Sequence, residues 1–265
     1  MTKEDSKWFQ SWFDSSYYHL LYKNRDYKEA EVFIKNLASY LNLNKDDKIL
    51  DLACGKGRHS IYLNALGYNV TGVDLSKNSI NHAKTHESQT LHFDVHDMRN
   101  SYKTKFEIVL NLFTSFGYFE EETDNFKVIQ TIKSSLKQNG IGVIDFMNSP
   151  FVIENLIAHN SYEDDTITFN LKRRLSDGFI YKDIEVIDGN TTTHYVEKVR
   201  AFTFQDFETK HTKTGKPYIT LSGGAAKRLE TLLPEQAKPV IDLSLSDEPP
   251  MALAFVVISA WHEKG

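Results

Sequence analysis

Cysteine, proline and long apolar runs are scarce in this sequence of 265 residues, which has one cysteine, Cys54, and six prolines. A single cysteine excludes an intrachain disulfide and a thiolate cluster for zinc or iron–sulfur, and it favours a reducing, cytoplasmic location. No apolar run reaches the roughly 18–20 residues that a membrane-spanning helix needs, so we expect no membrane contact.

Excess positive charge is missing too, since 31 Lys and Arg residues stand against 36 Asp and Glu residues, a formal net charge of −5. A mildly acidic chain is a poor default candidate for gripping a nucleic-acid backbone over a long footprint. The sequence has no His-Glu-x-x-His motif, and we expect no bound metal. A composition of 40% hydrophobic and 25% charged residues is typical of a folded chain, here one sizeable domain with an insertion or two small domains.

Short apolar runs alternate with amphipathic stretches over the first half of the chain. The runs predict buried strands at residues 48–53, 69–73, 91–95, 106–112 and 141–146. The amphipathic stretches predict helices at residues 27–43, 59–66, 78–86 and 124–136. Gly140 lies just beyond the end of the last of these helices. This alternation predicts an α/β fold, with a parallel sheet and helices on both of its faces.

The pattern changes after Pro150. Three strand-like stretches, 166–175, 179–187 and 191–204, are separated by the dipeptides Asp177-Gly178 and Asp188-Gly189, which are typical of hairpins. We therefore predict a three-stranded antiparallel meander. Beyond it, we predict a strand at 216–221, a short helix at 226–233 and a strand at 252–260, while most of 223–250 carries no usable motif.

A glycine-bearing turn joins the first predicted strand to the next helix. Gly55 and Gly57 follow a strand that contains Asp51, and the second strand ends in Asp74. Glycines let the backbone approach a ligand closely, and an acid about 20 residues further on can accept hydrogen bonds from both hydroxyls of a ribose. Sites for dinucleotides and for S-adenosylmethionine share this pattern. The turn lacks the third glycine of a dinucleotide motif, and a carboxylate at Asp51 suits an ammonium and a sulfonium better than a pyrophosphate.

Several segments resemble, in the same order, the motifs of class I S-adenosylmethionine-dependent methyltransferases. They are Asp51–Arg58 (DLACGKGR), Gly72–Ser76 (GVDLS), His96–Arg99 (HDMR), Leu110–Phe119 (LNLFTSFGYF) and the glycine-preceded strand Gly140–Phe146. The resemblance implies a Rossmann-like sheet of seven strands whose last strand, at 252–260, is antiparallel. Residues 12–29 further resemble a bacterial subgroup without an assigned substrate, and the meander is similar in placement to the insertion of small-molecule N-methyltransferases acting on amines and amino sugars.

The resemblance also implies a division of the chain into four parts. Residues 1–44 would form a helical cap or lid, and residues 45–164 the cofactor-binding α/β core. Residues 165–204 would form the β-insertion over the substrate site, and residues 205–265 would complete the core. The expected cofactor is S-adenosyl-L-methionine, and the expected partner is a small-molecule methyl acceptor rather than a nucleic acid, in a monomer or a homodimer.

Cofactor-binding residues follow from the matched motifs. Asp74 would bind the ribose, with a helix cap as its alternative role, and Asp97 would meet the adenine amino group. Met98 would pack on the adenine or belong to the core, while Arg58 and Arg25 would bind the cofactor carboxylate. The other residues assigned to this site are Tyr22, Asp51, Ala53, Gly55, Gly57, Leu75 and Asn111.

Four residues are candidates for contact with the transferred methyl group: Tyr18, His19, Asn111 and Tyr118. Asn111 is followed by Leu-Phe-Thr rather than Pro-Pro-Tyr, which argues against amino-methylation of DNA adenine or of glutamine. The aromatic cluster at residues 17–22 is predicted to close over the cofactor. The implied reaction is in-line displacement of the sulfonium methyl by a nitrogen, oxygen or carbon, so the protein mainly positions its ligands and excludes water.

Two alternative functions use the same cofactor motifs. An RNA methyltransferase would need a basic track, for which Lys172-Arg173-Arg174 is the only candidate run in the sequence. A non-catalytic protein that senses S-adenosylmethionine or S-adenosylhomocysteine would need only the glycine turn and the acids.

Overall fold

The structure is a computed structural model that describes residues 8–23, 27–203, 206, 209–211, 217–219, 237–246 and 253–262. It contains a nine-stranded sheet and a separate four-stranded sheet. Arg25 and the helix predicted at 226–233 lie outside the described residues. Of the helices that are described, none is long and apolar enough to cross a membrane.

Strands and helices alternate up to residue 154. The strands are β1 (Lys48–Leu52), β2 (Asn69–Asp74), β3 (Leu91–Val95), β4 (Phe106–Asn111) and β5 (Leu136–Met147). The helices are α1 (Trp8–Phe13), α2 (Ser16–Leu21), α3 (Tyr27–Tyr40), α4 (Arg58–Ala65), α5 (Lys77–Ala83), α6 (Glu122–Ser135) and α7 (Ser149–Glu154), with a 3-10 turn at Lys84–His86. The strands pair in parallel in the order β3-β2-β1-β4-β5, which confirms the predicted α/β fold.

An antiparallel sheet follows α7, and it has four strands rather than the predicted three. They are β6 (His159–Asp164), β7 (Ile167–Ser176), β8 (Phe179–Asp188) and β9 (Thr191–Arg200), paired in chain order. The unpredicted β6 is an edge strand of sequence HNSYED whose side chains are mostly exposed. The turn between β7 and β8 is Asp177-Gly178, with φ of 52° and 75°, as a two-residue hairpin turn requires.

The parallel sheet continues beyond β5 through four antiparallel strands. They are β10 (Thr209–His211), β11 (Pro217–Ile219), β12 (Ala237–Ser246) and β13 (Leu253–His262). β13 pairs antiparallel with β5, and β12, β11 and β10 follow outward. The strand predicted at 252–260 therefore lies in its predicted antiparallel place. The seven-stranded sheet is not confirmed, because nine strands pair among the described residues.

The N-terminal helices α1 and α2 pack on the antiparallel sheet. Trp8 and Trp12 form an apolar cluster with Phe169, Leu171 and other buried side chains of β7 and β8. Trp12 is 0% exposed, and its Nε1 donates a hydrogen bond of 2.7 Å to Glu197 on β9. This segment and the antiparallel sheet therefore form one packed unit.

Replacing Gly72 on β2 with Ala is expected to lower the free energy of unfolding by about 1–3 kcal/mol, because overpacking a rigid core has this cost. A Cβ at Gly72 would lie 2.6 Å from the buried ring of Phe93 and 2.8 Å from Ser60 Oγ. Chemical denaturation measures the difference. Adding Phe93→Leu removes the nearest ring carbon, so the two changes are expected to be less than additive. Strictly additive losses would contradict the clash.

Candidate active site

A cleft of about 1120 Å³ lies where the parallel strands end at their carboxyl termini. Residues of the antiparallel sheet and of the N-terminal helices also line it. The sequence-predicted residues that line the cleft are Tyr18, His19, Tyr22, Asp51, Ala53, Gly55, Arg58, Asp74, Leu75, Asp97, Met98 and Tyr118. Gly57 and Asn111 are not among its lining residues. An open α/β sheet binds its ligands at this edge.

The glycine turn after β1 opens towards the cleft at Gly55. Gly55 has φ of 57°, and a Cβ added there would have no atom within 4 Å. Gly57 has φ of 83° and precedes α4, and a Cβ there would lie 2.7 Å from Phe93. Gly57 therefore serves the packing behind the turn, whereas Gly55 leaves space for a ligand. Ala53 has φ of 61°, an uncommon conformation for a residue with a side chain.

Asp74 ends β2 and faces the cleft. Its carboxylate accepts hydrogen bonds from the backbone N–H groups of Gly55, at 2.9 Å, and Ser76, at 2.8 Å. Burial raises the pKa of Asp74, and these two hydrogen bonds oppose the rise. The helix cap that was its alternative role belongs to Ser76, whose Oγ accepts the N–H of Ser79 at 3.0 Å. Asp74 thus ties the glycine turn to the second strand end and keeps a carboxylate at the cleft.

Asp51 is the most deeply buried acid of the site, with 1% of its surface exposed. The hydroxyl of Ser60 donates a hydrogen bond of 2.6 Å to its Oδ2. Burial, opposed by this hydrogen bond, raises the pKa of Asp51 to about 7. The side chain is therefore poised between its two protonation states near neutral pH, and a nearby cation would favour the carboxylate.

Asp97 and Met98 line the cleft after β3. The carboxylate of Asp97 accepts hydrogen bonds from the guanidinium of Arg99, the shortest at 2.6 Å, and Arg99 also pairs with Asp124 at 2.7 Å. Burial raises the pKa of Asp97, but the hydrogen bonds from Arg99 outweigh it and leave this pKa below its usual value. Asp97 is therefore held in place as an anion at the cleft.

Arg58 lines the cleft at the first turn of α4, and its guanidinium is already paired. Its Nη1 lies 2.9 Å from Glu29 Oε2, and the guanidinium carbon lies 4.2 Å from the centre of the Phe113 ring. The ion pair joins α3 to α4 beside the glycine turn. The predicted contacts of Arg58 and Arg25 with a cofactor carboxylate stay predictions.

Tyr18, His19 and Tyr118 line the cleft, whereas Asn111 does not, and the contact of these residues with the methyl group stays a prediction. Asn111 is 0% exposed, and its Nδ2 donates a hydrogen bond of 3.0 Å to the carbonyl oxygen of Leu52. Its side chain therefore joins β4 to β1 inside the sheet, and contact with a ligand is not supported. Burial, with the nearby charges of Lys56 and His82, lowers the pKa of His19 to about 4, so this imidazole is neutral at pH 7.

Sequence reasoning missed the polar residues that the antiparallel sheet brings to the cleft. Glu197 accepts a hydrogen bond of 2.7 Å from the hydroxyl of Tyr22, and Lys182 donates one of 2.5 Å to the same hydroxyl. Lys182 and Glu197 form an ion pair of 3.4 Å. Part of this set could have been predicted from the hairpin turn at Asp177-Gly178. A two-residue turn there fixes the strand pairing and places Arg173 opposite Lys182.

The basic run Lys172-Arg173-Arg174 does not form one track. Arg173 lines the cleft, while Lys172 and Arg174 are exposed. Side chains alternate between the two faces of a strand, so neighbours on β7 point to opposite sides of the sheet. Arg174 Nε also lies 3.5 Å from Asp183 Oδ2, which offsets charge on the outer face. The run therefore gives no support to a basic surface for RNA.

The strand order β3-β2-β1-β4-β5, the glycine turn after β1 and the acid that ends β2 define a class I methyltransferase, which depends on S-adenosylmethionine. The family model described as a methyltransferase domain matches residues 43–203, more than half of the chain. The chain belongs to this family, which confirms the resemblance of its motifs.

Two kinds of curated relative are similar to the chain. A glycine/sarcosine N-methyltransferase from Aphanothece halophytica is 30% identical over 136 residues, which are 49% of this chain and 50% of that protein. A holo-(acyl-carrier-protein) synthase from Xanthobacter autotrophicus is 44% identical over 62 residues, which are 23% of this chain and 46% of that protein. The second match has 62 residues, the same number as residues 204–265, which follow the family match. The chain spans about half the length, or less, of these relatives.

Solved structures share the fold over most of the chain. A S-adenosylmethionine-dependent methyltransferase from Clostridium acetobutylicum has a TM-score of 0.66 and 22% identity, over 92% of this chain and 95% of that one. The sugar N-methyltransferase KedS8 from a Streptoalloteichus species has a TM-score of 0.62 and 18% identity, over 91% of this chain and 92% of that one.

Proposed function

We propose that this protein transfers the methyl group of S-adenosylmethionine to a nitrogen atom of a small molecule. The observation that carries the proposal is the cleft, in which the glycine turn and its acids face a space walled by aromatic side chains. Nitrogen is favoured as the acceptor atom because the similar proteins include a glycine/sarcosine N-methyltransferase and a sugar N-methyltransferase. The holo-(acyl-carrier-protein) synthase match covers less than half of that protein, so it carries no second function here.

The residues present fit the cofactor. The open space at Gly55 admits a ligand against the backbone, and Asp74 offers a carboxylate for the ribose hydroxyls. Asp51 supplies a buried negative charge near the turn, and Asp97 supplies an acceptor for the adenine amino group. When bound, S-adenosylmethionine supplies a methyl group on a sulfonium, which is a good leaving group.

The remaining side chains act on the acceptor. A nitrogen attacks the methyl carbon with its lone pair, the carbon–sulfur bond breaks, and the nitrogen afterwards gives up one proton. His19 is neutral at pH 7 and can accept a hydrogen bond from the acceptor nitrogen, but a pKa of about 4 makes its imidazole a weak base. The proton therefore passes to solvent after the methyl transfer. Tyr18 and Tyr118 wall the cleft, and with α1 and α2 they exclude water from the reacting atoms.

Titration calorimetry and an activity assay test this proposal. S-Adenosylhomocysteine is expected to bind with a micromolar dissociation constant, which corresponds to a binding free energy on the order of −8 kcal/mol. NADH is expected not to bind. With S-adenosylmethionine and a small-metabolite extract, the enzyme should release S-adenosylhomocysteine. Cofactor binding without release of S-adenosylhomocysteine from any extract fraction would favour the non-catalytic sensor. Release only with added RNA would favour an RNA methyltransferase. Tight binding of NADH would overturn the cofactor assignment.

Binding of S-adenosylmethionine at pH 7 is expected to release a proton from Asp51. Burial raises the pKa of Asp51 to about 7, and a cationic ligand favours the carboxylate. Below this pH the acid must first lose its proton, so affinity should fall with decreasing pH, by up to about tenfold per pH unit. Calorimetry in two buffers of different ionisation enthalpy measures the released proton. Asp51→Asn should abolish the release, and a wild-type enthalpy that does not depend on the buffer would contradict this linkage.

A further inference from the structure

Three charged residues form a row across the antiparallel sheet. Arg173 on β7 is paired with Lys182 on β8, and Lys182 is paired with Glu197 on β9. Residues that are directly opposite in neighbouring strands share a face, and all three line the cleft. The row therefore belongs to the side of the cleft that the antiparallel sheet forms, which is here called the roof of the proposed active site.

Much of the rest of this face is apolar. Ile180 and Val199 are paired with each other one step along the same face and also line the cleft. In the other direction, Phe169, Leu171 and Ile184 are buried beneath the N-terminal helices. Charged side chains on a largely buried apolar face are costly unless they are paired or used, so each member of the row needs an explanation.

The charges of Lys182 and Glu197 are accounted for by their ion pair. Their side chains are 14% and 17% exposed, and their charged atoms lie 3.4 Å apart. Glu197 also accepts hydrogen bonds from Trp12 Nε1 and from the hydroxyl of Tyr22. This pair is thus part of the packing between α1, α2 and the sheet, and its two charges offset each other.

Arg173 differs from the other two members of the row. Its Nη1 donates hydrogen bonds to two neutral groups, the carbonyl oxygen of Ile157 at 3.1 Å and Asn160 Oδ1 at 2.5 Å. No carboxylate in the described part of the chain forms an ion pair with it. A guanidinium has five N–H donors in a planar fork, which suits two oxygens of one carboxylate or phosphate.

The acids Asp51, Asp74 and Asp97 lie at the strand ends, where the cofactor is proposed to bind, whereas Arg173 lies on the roof. We propose that Arg173 binds an anionic group of the methyl acceptor, a carboxylate or a phosphate. This inference rests on the proposed function and narrows its substrate to an acceptor that carries both a nitrogen and an anion.

The test compares Arg173→Gln with Arg174→Gln, which removes the same charge from the outer face. A small-metabolite extract is separated on a strong anion exchanger at about pH 11, at which an aliphatic amine is neutral and an attached carboxylate or phosphate is retained. The retained and unretained fractions are then assayed at neutral pH for release of S-adenosylhomocysteine. Activity is expected in the retained fraction. It should fall at least about tenfold in Arg173→Gln, as expected for loss of a charge-assisted hydrogen bond, and stay at the wild-type level in Arg174→Gln. Phosphatase treatment of the retained fraction distinguishes a phosphate, whose activity is lost, from a carboxylate, whose activity persists.

Activity confined to the unretained fraction, or equal in both variants, overturns the anion site and leaves the proposed methyltransferase intact. If no fraction supports release, the proposed function fails, and the anion site is judged on binding alone. Inorganic pyrophosphate is then titrated into each protein with S-adenosylhomocysteine present. Weaker binding by Arg173→Gln than by Arg174→Gln supports the site, while equal binding or no binding to any of the three proteins overturns it.

Discussion

Asp74→Asn is expected to weaken the binding of S-adenosylhomocysteine at least about tenfold, because charge-assisted hydrogen bonds to the ribose contribute roughly 1.5–3 kcal/mol each. The carboxylate accepts the N–H groups of Gly55 and Ser76, and an amide can accept only through its single oxygen. One backbone donor then faces an amide N–H₂, so the free energy of unfolding should also fall, by about 1–3 kcal/mol. Calorimetry well below the melting temperature of the variant separates the two effects.

Asp94→Asn is the matched control for this loss. Asp94 lies in the neighbouring strand β3, is exposed, and accepts a hydrogen bond of 2.6 Å from the hydroxyl of Tyr102. The same atom exchange there should leave the cofactor affinity unchanged. If both variants bind S-adenosylhomocysteine as tightly as the wild type, Asp74 does not contact the ribose and only orders the glycine turn.

Trp12→Ala is expected to destabilise the N-terminal segment by about 3–5 kcal/mol, the usual cost of removing a large buried aromatic side chain. Trp12 is fully buried between α1 and β9 and donates a hydrogen bond to Glu197. Amides of residues 17–21 should exchange with solvent much faster in the variant, because α2 has no buried residue of its own and depends on its neighbours. Hydrogen exchange measures this directly.

Tyr40→Ala provides the comparison, since the side chain of Tyr40 at the end of α3 is 57% exposed. Its truncation should leave exchange at residues 17–21 unchanged and should change the free energy of unfolding by no more than about 0.5 kcal/mol. Unchanged exchange in Trp12→Ala would mean that α2 is held by other contacts. In the wild type, slower exchange at residues 17–21 after S-adenosylhomocysteine binds would support the predicted lid, and equally slow exchange in both states would oppose it.

The parallel core could be predicted because its signals are local. The strand predicted at 91–95 has the same limits in the structure, since its apolar residues are bounded by polar segments. Gly140 was expected to lie just beyond a helix and to precede the fifth strand. It lies inside β5, where a Cβ would come within 2.9 Å of the carbonyl oxygen of Glu107. A glycine required by close strand approach and one that ends a helix look alike in sequence.

The edge strand β6 escaped prediction because its side chains contact mostly solvent, so no apolar alternation marks it. That Asp51 and Asp74 line the cleft was predictable because both lie at or near strand ends, while their contacts with the cofactor stay predictions. The site was not predictable at Asn111, whose position at a strand end was right but whose side chain turns between β4 and β1. Glu197 could not be found either, because no local signal states which face of an inserted sheet meets a distant cleft.

The two-residue turn between β7 and β8 has a consequence for substrate choice in proteins built on this plan. A shift of one residue in the pairing of a strand exchanges its two faces. With one residue inserted into or removed from β8 beside Asp177-Gly178, and the two-residue turn kept, the register would shift. β8 would then turn Lys182 outward and bring Tyr181 and Asp183 to the cleft side. A single insertion or deletion, without any substitution in the cleft, would thus place a carboxylate beside Arg173 and change the charge that the sheet offers to the acceptor.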